Sequence, residues 1–212
     1  MKGITMKLVD MTVTEYLDIL ESDAPAPGGG SVSALSSTQA CDLVSMVCGL
    51  TIGREKYAEY EAVCTEVQKE VKALAEELYA GIDKDTDAFN KVAAAYKMPK
   101  DTDELKAARS AAIRAANVGA TQVPYDTVRL SLEGLRAMKK MAGQFNQNAA
   151  SDFGVAALSF LTGARGAWLN VKINLPGVKD EALQAQFAKA EDMVAEAEAL
   201  AKELYEGVRD SL

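Results

Sequence analysis

One almost uncharged stretch limits what this chain can become. Between Ser31 and Ile52 the only charged residue is Asp42, and most of the others are Ala, Ser, Val, Leu, Thr, Met, Cys and Gly. A helix that is small or apolar on every side belongs in an interior. The pattern predicts a central helix over 31–52 with the other helices wrapped around it. The stretch has the length of a membrane span, but Asp42, Gln39 and its many hydroxyls mark it as protein core. Directly before it stands Pro25-Ala26-Pro27-Gly28-Gly29-Gly30-Ser31. The prolines stiffen the approach, the glycines turn the chain, and Ser31 is placed to cap the helix. The first amides of a helix lack partners inside it, and the dipole adds positive potential there. Glycines let a ligand come close to the backbone. Two readings follow: a ligand-binding loop at a buried helix start, or a tight turn feeding a core helix. Gly-Lys-Ser/Thr does not follow the glycines, so this is not a P-loop.

The rest of the chain reads as helices. Residues 1–10 form a mobile lead-in. Thr12 and Glu15 fit a capping box for a short helix ending near Ser22. From Tyr57 to Tyr96 one stripe persists: Val63, Val67, Val71, Leu74, Leu78, Ile82, Phe89, Val92 and Tyr96. Its single gap of seven is filled by Asp85, which is three after Ile82 and four before Phe89 and so shares their face. A buried carboxylate is costly unless paired or hydrogen-bonded. Asp85 is thus either tied into a structural pair or held for catalysis or cation binding. Pro99 ends this helix, and an Ala-rich one runs from about Asp101 to Gln122. Pro124 starts another at its first turn. Asn146-Gln147-Asn148 is a polar loop, and Ser151-Asp152 caps the next helix, which Pro176-Gly177 closes. The last helix runs from Lys179 to about Val208. No segment alternates, so no sheet is expected. The fold class is all-α, about seven helices around a buried central one, in a single domain over 1–212.

Composition narrows the chemistry. The 212 residues are 49% hydrophobic and 25% charged, enough for a sizeable core. A net charge of −8 argues against a nucleic-acid surface. No secretory signal is visible, and three cysteines without metal-type spacing read as reduced thiols in a cytoplasmic protein. The chain contains no histidine. That removes Ser-His-Asp and Cys-His catalysis and leaves acid–base work to Asp, Glu, Lys, Tyr or water; no metal is expected.

Taken in order, these residues resemble one family. Pro25-Ala-Pro-Gly-Gly-Gly-Ser31 before an apolar helix is similar to the signature of the formiminotransferase-cyclodeaminase/methenyltetrahydrofolate cyclohydrolase family. So are Leu50-Thr51-Ile52-Gly53-Arg54-Glu55-Lys56-Tyr57, Asp85-x-x-Ala88-Phe89 and Ala95-Tyr96-Lys97-Met98-Pro99-Lys100. Val123-Pro124, Asn148-Ala149-Ala150-Ser151-Asp152-x-Gly154 and Asn170-Val171-Lys172-Ile173-Asn174 complete the match over about residues 8–176. Phe145 departs from it, standing where the family often has Gly.

The resemblance implies an all-helical domain, usually dimeric, that binds a tetrahydrofolate one-carbon derivative without a metal or further cofactor. It implies a cyclohydrolase that converts 5,10-methenyltetrahydrofolate reversibly to 10-formyltetrahydrofolate, as in freestanding bacterial chains. A cyclodeaminase that closes 5-formiminotetrahydrofolate and expels ammonia is the alternative, and a non-catalytic folate-binding helical protein is the third reading. On this chemistry Asp85 is the base or electrostatic stabiliser. Lys56 is the proton donor or orienter, with Lys97 as the alternative. Pro27, Gly28, Gly29, Gly30 and Ser31 line the ligand loop. Asn148, Ser151 and Asp152 hold the pterin, although Asp152 serves equally as a helix cap. Arg54 and Lys100 meet the glutamate tail, polyglutamylated or not, or are ordinary surface charge. Asn170 and Asn174 face the site or a dimer partner.

Overall fold

The computed structural model describes residues 6–212. Among them are seven α-helices and no strand. They are α1 (Val13–Leu20), α2 (Gly29–Gly49), α3 (Glu61–Lys97), α4 (Asp103–Lys140), α5 (Ala150–Asn174), α6 (Glu181–Ala188) and α7 (Ala190–Arg209). The residue types explain the start of α1: Thr12 accepts from the Glu15 amide while Glu15 bonds back to the Thr12 N–H, the expected capping box. Residues 1–5 of the expected lead-in lie outside the described residues. The remainder is docked rather than loose, since Leu8 is buried and its N–H bonds Asp83 Oδ1 at 2.7 Å.

Helix α2 packs against α3, α5 and α4. Contacts between side chains set the directions. Ser45 O meets Gln68 and Ser31 meets Ile82, so α2 and α3 are antiparallel. Ser37 meets Ser131 and Cys48 meets Met141, so α2 and α4 run the same way. A Cβ on Gly163 or Gly166 would strike Ser37 or Ser33, which fixes α5 antiparallel and very close to α2. Cys41, Val44, Val47 and Cys48 of α2 join Val67, Val71, Leu135, Met138, Phe153 and Phe160 in the main core. The fourth side of α2 is open, with Gln39, Asp42 and Met46 exposed. The expected wrapping is therefore three-sided within one chain.

Several expected boundaries move. The helix broken at Pro124 on sequence grounds is continuous, because α4 carries Pro124 in its interior. A proline there leaves the carbonyl four residues back without its N–H partner. That carbonyl is Ala120 O, and Asn174 Nδ2 at the end of α5 donates to it at 2.8 Å. The distant amide replaces the lost bond and makes the interior proline tolerable. The final stripe is interrupted at Lys189, where a tightened turn (N–H to Gln186 O) separates α6 from α7. Phe145 is 2% exposed and stacks on Phe153 with centroids 4.5 Å apart, so the family's frequent glycine is replaced by a core anchor.

The α3 stripe leaves the core beyond Asp85. Val67, Val71, Leu78 and Ile82 are buried, but Phe89 is 40% and Tyr96 54% exposed. The reason is length: α2 begins at Gly29, level with Asp85, whereas α3 continues to Lys97 and α4 starts at Asp103. The outer ends of α3 and α4 form a hairpin with no α2 against it.

Candidate active site

Gly28 is the residue before the first turn of α2 and has no side chain to cap it. Ser31, expected as the cap, instead lies within that first turn. Its hydroxyl donates across to Ile82 O at 2.8 Å. The capping acceptor comes from α3: the Ser31 N–H donates to Asp85 Oδ2 at 3.0 Å, and the Ser31 hydroxyl lies 3.4 Å from the same oxygen. A carboxylate at a helix amino end is favoured by the free amides and by the dipole. Gly30 is obligatory here for space, since a Cβ on it would overlap the Asp85 carboxyl group.

Beside this pair opens a cleft of about 330 Å³. The glycine loop and Pro25 form one wall, Asp85, Phe89 and Val92 of α3 a second, and Asn170, Ile173 and Asn174 of α5 a third. Pro27 is buried beneath the loop. Asn170 Nδ2 bonds Gly166 O at 2.9 Å, which holds the side chain against Gly29. Burial pushes the Asp85 carboxyl above its ordinary pKa, and the Ser31 N–H and hydroxyl partly oppose that shift. A carboxylate in a cleft with one oxygen anchored and a raised proton affinity is equipped to take a proton from water. Among the described residues no cluster of three or more His, Cys, Asp and Glu side chains is arranged to hold a metal ion.

The other residues singled out by sequence are not here. Arg54 and Lys56 are exposed and follow the far end of α2, about 30 Å from Gly29 at the helical rise. Lys56 Nζ rests over the Tyr57 ring, and the Tyr57 hydroxyl donates to Asn146 Oδ1. Asn148, Ser151 and Asp152 lie at this same end, because Asn146 bonds Leu50 O and Thr51 Oγ1. Neither Ser151 nor Asp152 caps α5; both sit in its first turn behind Ala149. Lys97 ends α3 about 18 Å beyond Asp85 along the axis, and Lys100 is in the following turn. One chain thus carries two polar clusters at opposite ends of α2 and α5: the glycine loop with Asp85 and Asn170, and the Arg54–Asp152 group.

Asn174, which the sequence left facing the site or a dimer partner as it did Asn170, stands in the cleft wall. Sequence reasoning missed Pro25 and Ile173 in the cleft walls and took Phe89 and Val92 as core. A family model described as formiminotransferase-cyclodeaminase matches residues 12–203. The chain belongs to that family. It is 42% identical over 202 residues to a methenyltetrahydrofolate cyclohydrolase of Methylorubrum extorquens, covering 95% of this chain and 97% of that one. It is 33% identical over 184 residues to a formimidoyltransferase-cyclodeaminase of Sus scrofa, covering 87% of this chain but 34% of that larger protein. In structure it is similar to a formiminotetrahydrofolate cyclodeaminase of Thermotoga maritima, with a TM-score of 0.78, 26% identity and 94% of each chain covered. The all-α expectation agrees with this likeness.

Proposed function

We propose that the protein is a methenyltetrahydrofolate cyclohydrolase. The observation that carries this reading is the 42% identity to a cyclohydrolase over nearly the whole of both chains. The cleft suits the chemistry. The substrate's bridge carbon sits between two nitrogens and carries amidinium charge. Water attacks that carbon, and Asp85 takes the proton as the carbon–oxygen bond forms. The bond from carbon to one nitrogen then breaks. The hydroxyl loses its proton to become the formyl oxygen, and the released nitrogen gains one. The net products are 10-formyltetrahydrofolate and one proton. Neither histidine nor a metal is required, and Asp85 also attracts the cation before attack. Asn170 and the Gly28–Gly30 backbone are placed to meet polar edges of the pterin.

From the cleft, Phe89, Val92 and Tyr96 continue along one face of α3 towards Lys100. We assign this run to the aminobenzoyl group and the glutamate tail, which favours Lys100 over Arg54 as a tail contact within one chain.

The reading includes a homodimer. Helix α5 carries an exposed stripe of Val155, Leu158, Leu169 and Ile173, the last two 67% and 78% exposed. Two such stripes packed antiparallel about a twofold axis near Thr162 bury one another. They also bring the Arg54–Asp152 end of one copy to the Asp85 cleft of the other, where Lys56 can serve as the proton carrier. The open side of α2 lies beside this stripe. We place the protein in the cytoplasm, a reading supported by its free, buried cysteines. Among the described residues no helix is long and apolar enough to cross a membrane.

Loss of methenyltetrahydrofolate absorbance on adding pure protein tests the reading, and a rate no higher than the uncatalysed one refutes it. The second reading, formiminotetrahydrofolate cyclodeaminase, is favoured by the likeness to the Thermotoga maritima structure. Ammonia release from formiminotetrahydrofolate, without turnover of the methenyl compound, would select it.

A further inference from the structure

The two asparagines in the cleft wall are held by their amide nitrogens. Asn170 Nδ2 donates to Gly166 O at 2.9 Å, and Asn174 Nδ2 donates to Ala120 O at 2.8 Å. A backbone carbonyl only accepts, so each partner dictates which way its amide is turned. Reversing Asn170 would set two oxygens against each other. Reversing Asn174 would also strand Ala120 O, which Pro124 leaves without its helical N–H. The side-chain oxygen of each asparagine is thereby fixed as a hydrogen-bond acceptor. Neither Oδ1 bonds to the protein among the described residues, and neither is a buried orphan. Both are accessible acceptors on residues that line the cleft. The two residues stand four apart on α5 and share one face.

We propose that Asn170 and Asn174 select the ligand's ring, their two oxygens each accepting one N–H of the pterin's exocyclic 2-amino group. The inference deepens the cyclohydrolase reading and rests on it. The spacing suits such a group. Helix neighbours four apart have Cβ atoms about 5–6 Å apart. The two hydrogens of an NH2 group diverge by about 120°, so acceptors about 2.9 Å from its nitrogen lie about 5 Å apart. The charge suits it as well. Asp85 is the one charged side chain among the residues lining the cleft. A carboxylate in place of either asparagine would draw the amidinium bridge to the wrong wall. Neutral acceptors on α5 hold the neutral end of the ring and leave the cation to Asp85. Pro124 enters the cleft's chemistry only through Asn174: by freeing Ala120 O, it fixes which atom of that amide the ligand meets.

The test compares 5,10-methenyltetrahydrofolate with its 2-desamino-2-methyl analogue, in which a methyl group replaces the amine remote from the reacting carbon. Each kcat/KM is divided by the uncatalysed hydrolysis rate, which removes any change in intrinsic reactivity. Wild type should prefer the amine by about tenfold or more, the effect of leaving two acceptors unpaired in a closed cleft. Asn170→Ala should narrow that preference to a few-fold. So should Asn174→Ala in a Pro124→Ala background, where residue 124 regains the N–H for Ala120 O. Lost packing alone weakens both compounds alike and keeps the wild-type ratio. Equal use of both compounds by wild type, or a wild-type ratio in either variant, overturns the inference and leaves the cyclohydrolase reading standing. Loss of all turnover in a folded Asn170→Ala protein overturns it too, since that would put the residue at the reacting carbon. No turnover of either compound by wild type refutes the cyclohydrolase reading, and the inference with it.

Discussion

Replacing Gly30 with Ala probes the join between fold and site in one methyl group. Its Cβ would overlap the Asp85 carboxyl group, so the Asp85 side chain must rotate away. That movement breaks the bond from the Ser31 N–H and the contact with the Ser31 hydroxyl. Loss of a helix cap costs about 1 kcal/mol, and loss of a hydrogen bond to a charged acceptor about 1.5–3. These describe the same bond and are not summed. Alanine returns up to about 1 kcal/mol by its better helix propensity. The net destabilisation is then about 1–2 kcal/mol, or a fall in Tm of about 2–8 °C for a chain of this size. Turnover falls much further, by about 100-fold or more, because the displaced carboxylate no longer meets the attacking water. Gly28→Ala is the control, since no atom lies within 4 Å of its added Cβ. It should hold Tm within about 3 °C, the reach of a weakened cap, while raising KM through the cleft wall. Thermal unfolding and steady-state kinetics on the three proteins decide the matter. A Gly30→Ala protein with wild-type Tm and wild-type turnover would refute the reasoning.

Three further outcomes follow from the geometry. Asn174→Ala strands the Ala120 carbonyl and should cost about 1–3 kcal/mol in urea unfolding. The cost should shrink in a Pro124→Ala background, where residue 124 regains its N–H, and strict additivity would contradict this account. Leu158→Glu or Leu169→Glu should give a folded monomer with little activity by light scattering and assay; a fully active wild-type monomer at assay concentrations would refute the α5 pairing. Stability against pH tests the burial of Asp85. Its folded pKa is raised, so the folded chain binds the proton more tightly than the unfolded one. The penalty of its charge is absent below the unfolded carboxylate range, near pH 3.9, and complete above the raised folded value. The stability of Asp85→Asn minus that of wild type should therefore increase as pH rises through the acid range. A difference that decreases over that range contradicts the assignment.

Much of this arrangement is visible in spacing along one helix. The Thr12–Glu15 box, the almost uncharged α2 and the place of Asp85 in the α3 stripe are local patterns, and each keeps its form in three dimensions. What a local pattern does not contain is where a neighbour stops. Phe89 and Tyr96 fit the apolar period but have no α2 to cover them, because α2 starts level with Asp85. Pro124 reads as a helix start because its remedy, Asn174, lies 50 residues away. Ser31 reads as a cap because the true acceptor is a carboxylate from another helix. The candidate site divides in the same manner. Its residues follow one family order along the chain, yet Lys56, Asn148 and Asp152 fold to the end of α2 remote from Asp85. Order along a chain carries no distance between helix ends.

The central claim is that Asp85 at the amino end of α2 performs the acid–base step on the folate bridge. The most direct measurement is turnover of 5,10-methenyltetrahydrofolate by Asp85→Asn at neutral pH, with substrate affinity determined on the same folded protein. The account predicts a loss in kcat of about 100- to 10,000-fold with Kd changed only a few-fold. Turnover close to wild type, with the protein folded and binding intact, would contradict it.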